Sequence, residues 1–158
     1  MTKCIALTGG VGGTKLVLGL SKILSPDELL IVVNTGDDFD HLGLTISPDI
    51  DTVLYTLAGI ANPNNGWGRA KETWETMEAL KNLGGEIWFR LGDKDLALHL
   101  IRKQMLDCGC SPTEATIALA GKLGVRQSVV PMSDQPVRTM VVIEKGEMPF
   151  QEYFVKNR

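Results

Sequence analysis

The segment Thr8-Gly9-Gly10-Val11-Gly12-Gly13-Thr14-Lys15 places four glycines in five positions between a short aliphatic run and a helical pattern. Glycines where a strand meets a helix expose backbone N–H groups to an anion. The helix dipole adds partial positive charge there, and the missing side chains let a phosphate approach. Thr14 contributes a hydroxyl and Lys15 a point charge. Gly13-Thr14-Lys15-Leu16 departs from the P-loop pattern by an inserted threonine and a final leucine, and the dinucleotide fingerprint needs a glycine where Lys15 stands. The segment predicts a phosphate at a helix start without naming the nucleotide. The competing reading is a tight turn whose glycines serve close packing.

Carboxylates recur close to other turn signals. Asn34-Thr35-Gly36-Asp37-Asp38 follows a second aliphatic run, so Asp37 or Asp38 can reach a ribose, a base or a metal at the carboxyl end of a sheet; a solvated acidic turn explains them equally well. Ser47-Pro48-Asp49-Ile50-Asp51 puts two carboxylates in a first helical turn. Positions two apart do not share a face, so one can favour the dipole while the other reaches into a cleft. One or two carboxylates plus substrate phosphates is the usual way to hold magnesium. Arg90 in Arg90-Leu91-Gly92-Asp93-Lys94-Asp95 can orient an anion or a polar ring, with Asp93 capping the following helix. Ser133 and Asp134 can meet a ligand or simply form a turn. His41 reads as a loop histidine, and Asp95 with His99, four apart, as a surface pair.

These residues need elements to hold them. Lys3 to Thr8 and Leu29 to Val33 read as buried strands joined through a helix from Thr14 to Leu24, a right-handed crossover in a parallel sheet. Asn34 to Ser47 is expected to be a loop. Ser47 as N-cap and Pro48 at N1 start a helix to about Ala58, ended by Gly59. Further helices are predicted from Arg69 to Leu83, from Lys94 to Leu106, and from the Ser111-Pro112-Thr113-Glu114 capping box to Leu123. Ile87 to Leu91 is expected to be extended, Arg126 to Val130 and Arg138 to Glu144 to be strands, and Lys145-Gly146 to be a turn. A doubly wound sheet built from these strands alone is incomplete, so the chain reads as a fragment of a larger α/β domain.

The 158 residues suit one domain with a real core, and 44% hydrophobic with 22% charged residues is ordinary globular composition. A net charge of -3 argues against a broad nucleic-acid footprint. Cys4, Cys108 and Cys110 are too few for a disulfide framework or a zinc site, which favours a reduced, cytoplasmic setting. No signal peptide or membrane-spanning run is expected.

Several motifs together resemble the 2-phospho-L-lactate transferase family of coenzyme F-420 biosynthesis. They are Thr8 to Lys15, Val33 to Asp38, Ile46-Ser47-Pro48-Asp49-Ile50-Asp51-Thr52-Val53-Leu54-Tyr55, Gly66-Trp67-Gly68, Leu91 to Asp95, Pro131-Met132-Ser133-Asp134 and Pro149-Phe150-Gln151-Glu152-Tyr153. The resemblance implies a Rossmann-like three-layer α/β fold with a mainly parallel sheet, of which residues 1–158 form the N-terminal part. It implies transfer of a phospholactyl group, or its enolpyruvyl counterpart, from a guanosine diphosphate conjugate to the deazaflavin Fo. GMP leaves, and magnesium assists. By resemblance Asp51 and Arg90 contact Fo, with Asp51 also the catalytic residue and a magnesium ligand. Gly9, Gly10, Gly12, Gly13, Thr14, Lys15, Asn34, Asp37 and Asp38 would face the nucleotide. A homodimer is expected at full length. Position 135 is Gln where that family often has an acidic residue, which weakens a metal role for that turn. The alternatives are another nucleotide-dependent transferase or sugar-nucleotide enzyme, a nucleotide-sensing module without activity, and an inert fragment.

Overall fold

A computed structural model describes residues 2–144 and 146–156. Strands β1 (Cys4–Thr8), β2 (Leu29–Val33) and β5 (Ser128–Pro131) form a parallel sheet in the order β1-β2-β5. Thr8 pairs with Val33, and Val33 with Pro131, so the carboxyl ends of all three strands lie along one edge. Ladder-like bonds continue beyond the strands, from the Asn34 amide to the Thr8 carbonyl at 2.8 Å and from the Met132 amide to the Val33 carbonyl at 2.8 Å. The loops after β1, β2 and β5 are thereby gathered at the place where open α/β sheets bind ligands.

The chain is α/β, as its alternating patterns predict. Helices α1 (Gly10–Leu20), α2 (Pro48–Leu57), α4 (Asp93–Asp107) and α5 (Pro112–Lys122) account for most of the helical residues, with α3 (Glu75–Asn82) shorter. Ala6, Ile31, Val33 and Val129 of the sheet bury against Val17, Ile50, Val53, Leu54, Leu98 and Leu119 of the helices. Removing this apolar surface from water is the main stabilising contribution. The alternate residues of β1, Ile5 and Leu7, point the other way and are 61% and 77% exposed. The described residues thus leave the second face of the sheet open at β1.

Four expectations need correction. The glycine segment is not a loop before the helix: α1 begins at Gly10, where φ is +47°, a value that suits glycine. Residues 34–47 are not all loop. Strands β3 (Phe39–His41) and β4 (Leu44–Ile46) form a hairpin whose turn, Leu42-Gly43, has positive φ at both positions. It buries Phe39, His41, Leu44 and Ile46, and its apolar side chains form a second cluster with Met77 and Leu91. Ile87 to Leu91 forms no strand: the adjacent residues Trp88 and Phe89 both pack against Phe39 and His41, whereas a strand would send them to opposite faces. The helix expected from Arg69 starts only at Glu75, since Lys71 adopts a positive φ of 56°.

The strand expected from Arg126 begins at Ser128. Strand β6 (Met140–Ile143) pairs antiparallel with β7 (Gly146–Pro149), outside the parallel sheet. The turn expected there includes Lys145, which lies outside the described residues. None of the three cysteines is in a disulfide. No helix among the described residues is long and apolar enough to cross a membrane.

Candidate active site

Two cavities adjoin at the carboxyl edge of the sheet. The first is an open crevice of ≈ 630 Å³ lined by Thr8, Gly9, Gly10, Gly13, Asn34 and Asp37, with Asp49 and Met132 closing it. No side chain caps α1, so its first N–H groups have no intrahelical partner, and of that first turn Gly10 and Gly13 line this mouth. A Cβ on Gly9 would come 2.8 Å from Asp49 Oδ2 and 3.1 Å from Asn34 Cβ, so only glycine lets these groups meet. The Asn34 side chain fixes the floor: its Nδ2 donates to Asp49 Oδ2 at 2.9 Å, and its Oδ1 accepts from the Gly36 amide at 3.0 Å. Burial pushes the Asp37 carboxyl above its usual range, and the charge of Asp49 pushes it further.

The second cavity, of ≈ 540 Å³, is largely apolar. Trp67, Trp88, Phe89, Phe150 and Phe154 line it together with Asp51 and Arg90. Arg90 is itself exposed and lies over the Trp74 ring, its guanidinium carbon 4.4 Å from the ring centroid. Gly10 and Asp49 line both cavities, so the two spaces are contiguous across the start of α1.

A buried polar network backs the second cavity. Asp51, in the first turn of α2, accepts from Arg102 through both oxygens: Nη1 donates to Oδ2 at 3.1 Å, and Nη2 donates to Oδ1. Both residues are at most 5% exposed. Burial works most strongly against the Arg102 charge, but the charge and hydrogen bonding of Asp51, with Tyr55 and Asp38, together outweigh it and keep the guanidinium protonated. His99 Nδ1 is 3.1 Å from Arg102 Nη1, and His99 Nε2 is 3.4 Å from Asp95 Oδ1. The Tyr55 hydroxyl donates to the same Asp95 oxygen. Burial raises the Tyr55 pKa most, and the charges of Asp51 and Asp95 add to it, so the phenol stays a donor. Burial also pushes Asp95 up, yet His99 and Tyr55 together hold its carboxyl below the usual range.

The predicted residues divide accordingly. Gly9, Gly10, Gly13, Asn34 and Asp37 come together in the crevice, and Asp51 and Arg90 in the adjoining cavity. Gly12 and Lys15 are exposed and line neither space. Thr14 is 2% exposed, and its hydroxyl donates back to the Gly10 carbonyl at 2.6 Å, so it braces the helix start instead of facing the mouth. Asp38 turns away to a separate crevice of ≈ 190 Å³, where Ser47 Oγ donates to its Oδ2 at 2.9 Å. Burial lifts the Asp38 carboxyl to about 7. Asp134 accepts from the Thr113 amide at 2.8 Å at the start of α5, and the Ser133 hydroxyl bonds the Gln135 carbonyl at 3.0 Å, so turn and cap formation accounts for both.

Asp93 caps a different helix from the one expected. Its oxygens accept from the Glu75 and Thr76 amides of α3, while Glu72 accepts from the Lys94 and Asp95 amides of α4. His41 is no loop histidine: it is 3% exposed against the Trp88 ring, and burial lowers its pKa. Asp95 and His99 are no surface pair, since His99 is 1% exposed. Sequence reasoning also missed Tyr55 and Arg102. The signal was present in the spacing of Asp95, His99 and Arg102, which at i, i+4 and i+7 share one face of α4 with Leu98.

Residues 4–158 match the family described as 2-phospho-L-lactate transferase CofD. The chain is 44% identical over 160 residues to a phosphoenolpyruvate transferase of Kitasatospora aureofaciens, covering 98% of this chain and 50% of that protein. It is 44% identical over 151 residues to a 2-phospho-L-lactate transferase of Methanosarcina acetivorans, covering 96% and 49%. A 2-phospho-L-lactate transferase of Methanosarcina mazei is 40% identical over 154 residues, covering 98% and 51%. The chain thus spans about half the length of the curated relatives it matches. It belongs to the 2-phospho-L-lactate transferase CofD family.

Proposed function

We propose that this chain forms the nucleotide and acceptor sites of a transferase in coenzyme F-420 biosynthesis. The enzyme moves a 2-phospho-L-lactyl group, or its enolpyruvyl counterpart, from a guanosine diphosphate conjugate to the deazaflavin Fo. The supporting observation is the contiguity of two unlike spaces: a glycine-lined crevice at a helix start, and an aromatic cavity carrying Asp51 and Arg90, joined at Gly10 and Asp49. A diphosphate suits the first, and a planar ring with polar edges suits the second. A hydroxyl of Fo in the second space then lies beside a phosphorus in the first. Its oxygen forms the new P–O bond, the bond to the GMP oxygen breaks with that oxygen leaving on GMP, and the hydroxyl proton passes to solvent water through the open crevice. The protein's part is positioning and neutralisation of charge.

The residues present fit magnesium in one arrangement and not in another. Asp51 is a poor ligand, because Arg102 occupies both of its oxygens. Asp37 and Asp49 fit better: both line the nucleotide crevice, and the charge of one already raises the pKa of the other. A diphosphate entering there meets two carboxylates, and a hard cation removes that repulsion. When bound, magnesium would neutralise phosphate charge as it shifts toward GMP. Among the described residues no group of three or more His, Cys, Asp or Glu could hold a metal ion, so the phosphates would complete its shell. Asp51 is left to orient the acceptor hydroxyl and Arg90 to hold the acceptor ring edge.

The test is to supply the guanosine diphosphate conjugate, Fo and magnesium to the purified protein and follow GMP. Release of GMP only when Fo is present supports the reading. Stabilisation by UDP-sugars with no response to GDP would replace it with a sugar-nucleotide enzyme. Tight GDP and Fo binding without GMP release would replace it with a sensing module.

A further inference from the structure

We propose that Arg102 and His99 are positioning residues for the transfer, holding the Asp51 carboxylate in a single orientation at the wall of the acceptor cavity. This rests on reading that cavity as the acceptor site. Asp51 and Tyr55 lie four apart on α2, and Asp95, His99 and Arg102 lie four and three apart on α4, so the two helix faces present their polar residues to one another.

The hydrogen-bond chemistry fixes the order of the network. A guanidinium only donates, so at 3.1 Å from Arg102 Nη1 the His99 Nδ1 must accept. A ring whose Nδ1 accepts carries its proton on Nε2, a buried nitrogen that lies 3.4 Å from Asp95 Oδ1 without a well-aligned hydrogen bond to it. Asp95 is in turn held by the Tyr55 hydroxyl. His99 therefore restrains Arg102 from behind while Arg102 grips both oxygens of Asp51. The His99 Nδ1 to Asp51 Oδ2 separation of 3.8 Å leaves the guanidinium, not the imidazole, as the direct partner of that carboxylate.

Stability alone does not account for the arrangement. Burying an ion pair together with a histidine and a second carboxylate gains little over apolar side chains of the same volume. What the polar set provides is orientation. Asp51, Tyr55, Asp95 and His99 all line the aromatic cavity, and a bidentate guanidinium leaves a carboxylate no freedom to rotate. Displacement of a reacting group by even an ångström lowers a transfer rate sharply.

Two measurements test the proposal separately. In protein labelled with ¹⁵N-histidine, the two histidines are distinguished by His41→Gln. His99 is expected to show a protonated Nε2 and a bare Nδ1 at neutral pH, and a protonated Nδ1 would overturn the network as described. In turnover with Fo, His99→Gln preserves an acceptor for Arg102 and a donor for Asp95, and is expected to stay within about threefold of wild type in kcat. His99→Leu, of similar bulk, removes both and is expected to lose about tenfold or more in kcat with the KM for the nucleotide donor unchanged. Arg102→Lys, which keeps the charge but not the fork, is expected to behave like His99→Leu. Wild-type kcat in both His99→Leu and Arg102→Lys would overturn the positioning role. Absence of Fo turnover in the wild-type protein would overturn the acceptor reading and the positioning role with it, whereas the tautomer result judges the network on its own.

Discussion

Asp51 on α2 and Arg102 on α4, 51 residues apart in sequence, hold each other through both carboxylate oxygens and both terminal guanidinium nitrogens at the back of the aromatic cavity. Removing one partner leaves the other charge buried and alone. Arg102→Met or Asp51→Asn is expected to lower stability by about 3–5 kcal/mol, read from urea melts. The double substitution should recover much of that loss, because no unpaired charge remains. Equal losses in the single and double variants would show that packing, not the ion pair, sets the cost.

Asp38 provides a pH dependence of known sign. Its folded pKa, about 7, lies above the ordinary aspartate value of 3.8. Its contribution to stability is fully present below pH 3.8 and is lost as pH rises through 7, since the folded state must then hold a buried anion. Asp38→Asn keeps an acceptor for Ser47 without the charge. Its stability relative to wild type should rise between about pH 4 and 7, at a limiting slope of roughly 1.4 kcal/mol for each pH unit crossed. A difference that stays flat over that interval would mean Asp38 ionises normally.

Asp93 gives the opposite sign. Side-chain hydrogen bonds from Thr73 and Thr76, then the amides at the start of α3, hold its carboxyl down at about 2. Its contribution is present above pH 3.8 and is lost as pH falls through 2. The gap in melting temperature between wild type and Asp93→Asn should therefore close as the solution is acidified from about pH 5 to 2. A gap that persists at the acid end would assign Asp93 some role other than accepting those bonds.

The glycines of the first segment should not respond alike. A Cβ on Gly9 collides with Asp49 Oδ2, whereas one on Gly12 meets nothing within 4 Å. Gly9→Ala is expected to weaken GDP binding by about tenfold or more, as it displaces the carboxylate at the crevice floor. Gly12→Ala is expected to leave binding unchanged, and helix propensity favours the alanine. Calorimetry of GDP with magnesium distinguishes them, and equal effects would move the nucleotide out of the crevice.

Much of this was legible in the sequence where a residue's type alone dictates its local geometry. The aliphatic runs of β1 and β2, Pro48 at the start of α2 and the Ser111–Glu114 capping box all fall where their chemistry requires. Asp51 and Arg90 were singled out by motif, and they line one cavity. What could not be read was partnership across long separations. Asp93 looked like a cap for its own helix, but a cap needs only an amide within reach, and those of α3 are nearer. Asp95 and His99 look like a surface pair until α2 is packed against them, and Arg102 looks like any helix-surface arginine. The hairpin at Phe39–Ile46 was hidden because its turn uses Leu42, which seldom takes positive φ, beside Gly43.

The proposed transfer requires a ring acceptor in the aromatic cavity while a nucleotide diphosphate lies in the crevice beside it. Trp67 and Trp88 line that cavity, so their emission reports its occupancy. Fo should be titrated against tryptophan fluorescence in the presence of saturating GDP and magnesium. Saturable quenching is expected, weakened by about tenfold or more in Arg90→Ala, and persisting as a second and independent event when GDP is added first. Quenching absent in the wild-type protein, or abolished by GDP as though both ligands competed for one space, would contradict simultaneous occupancy of the two spaces.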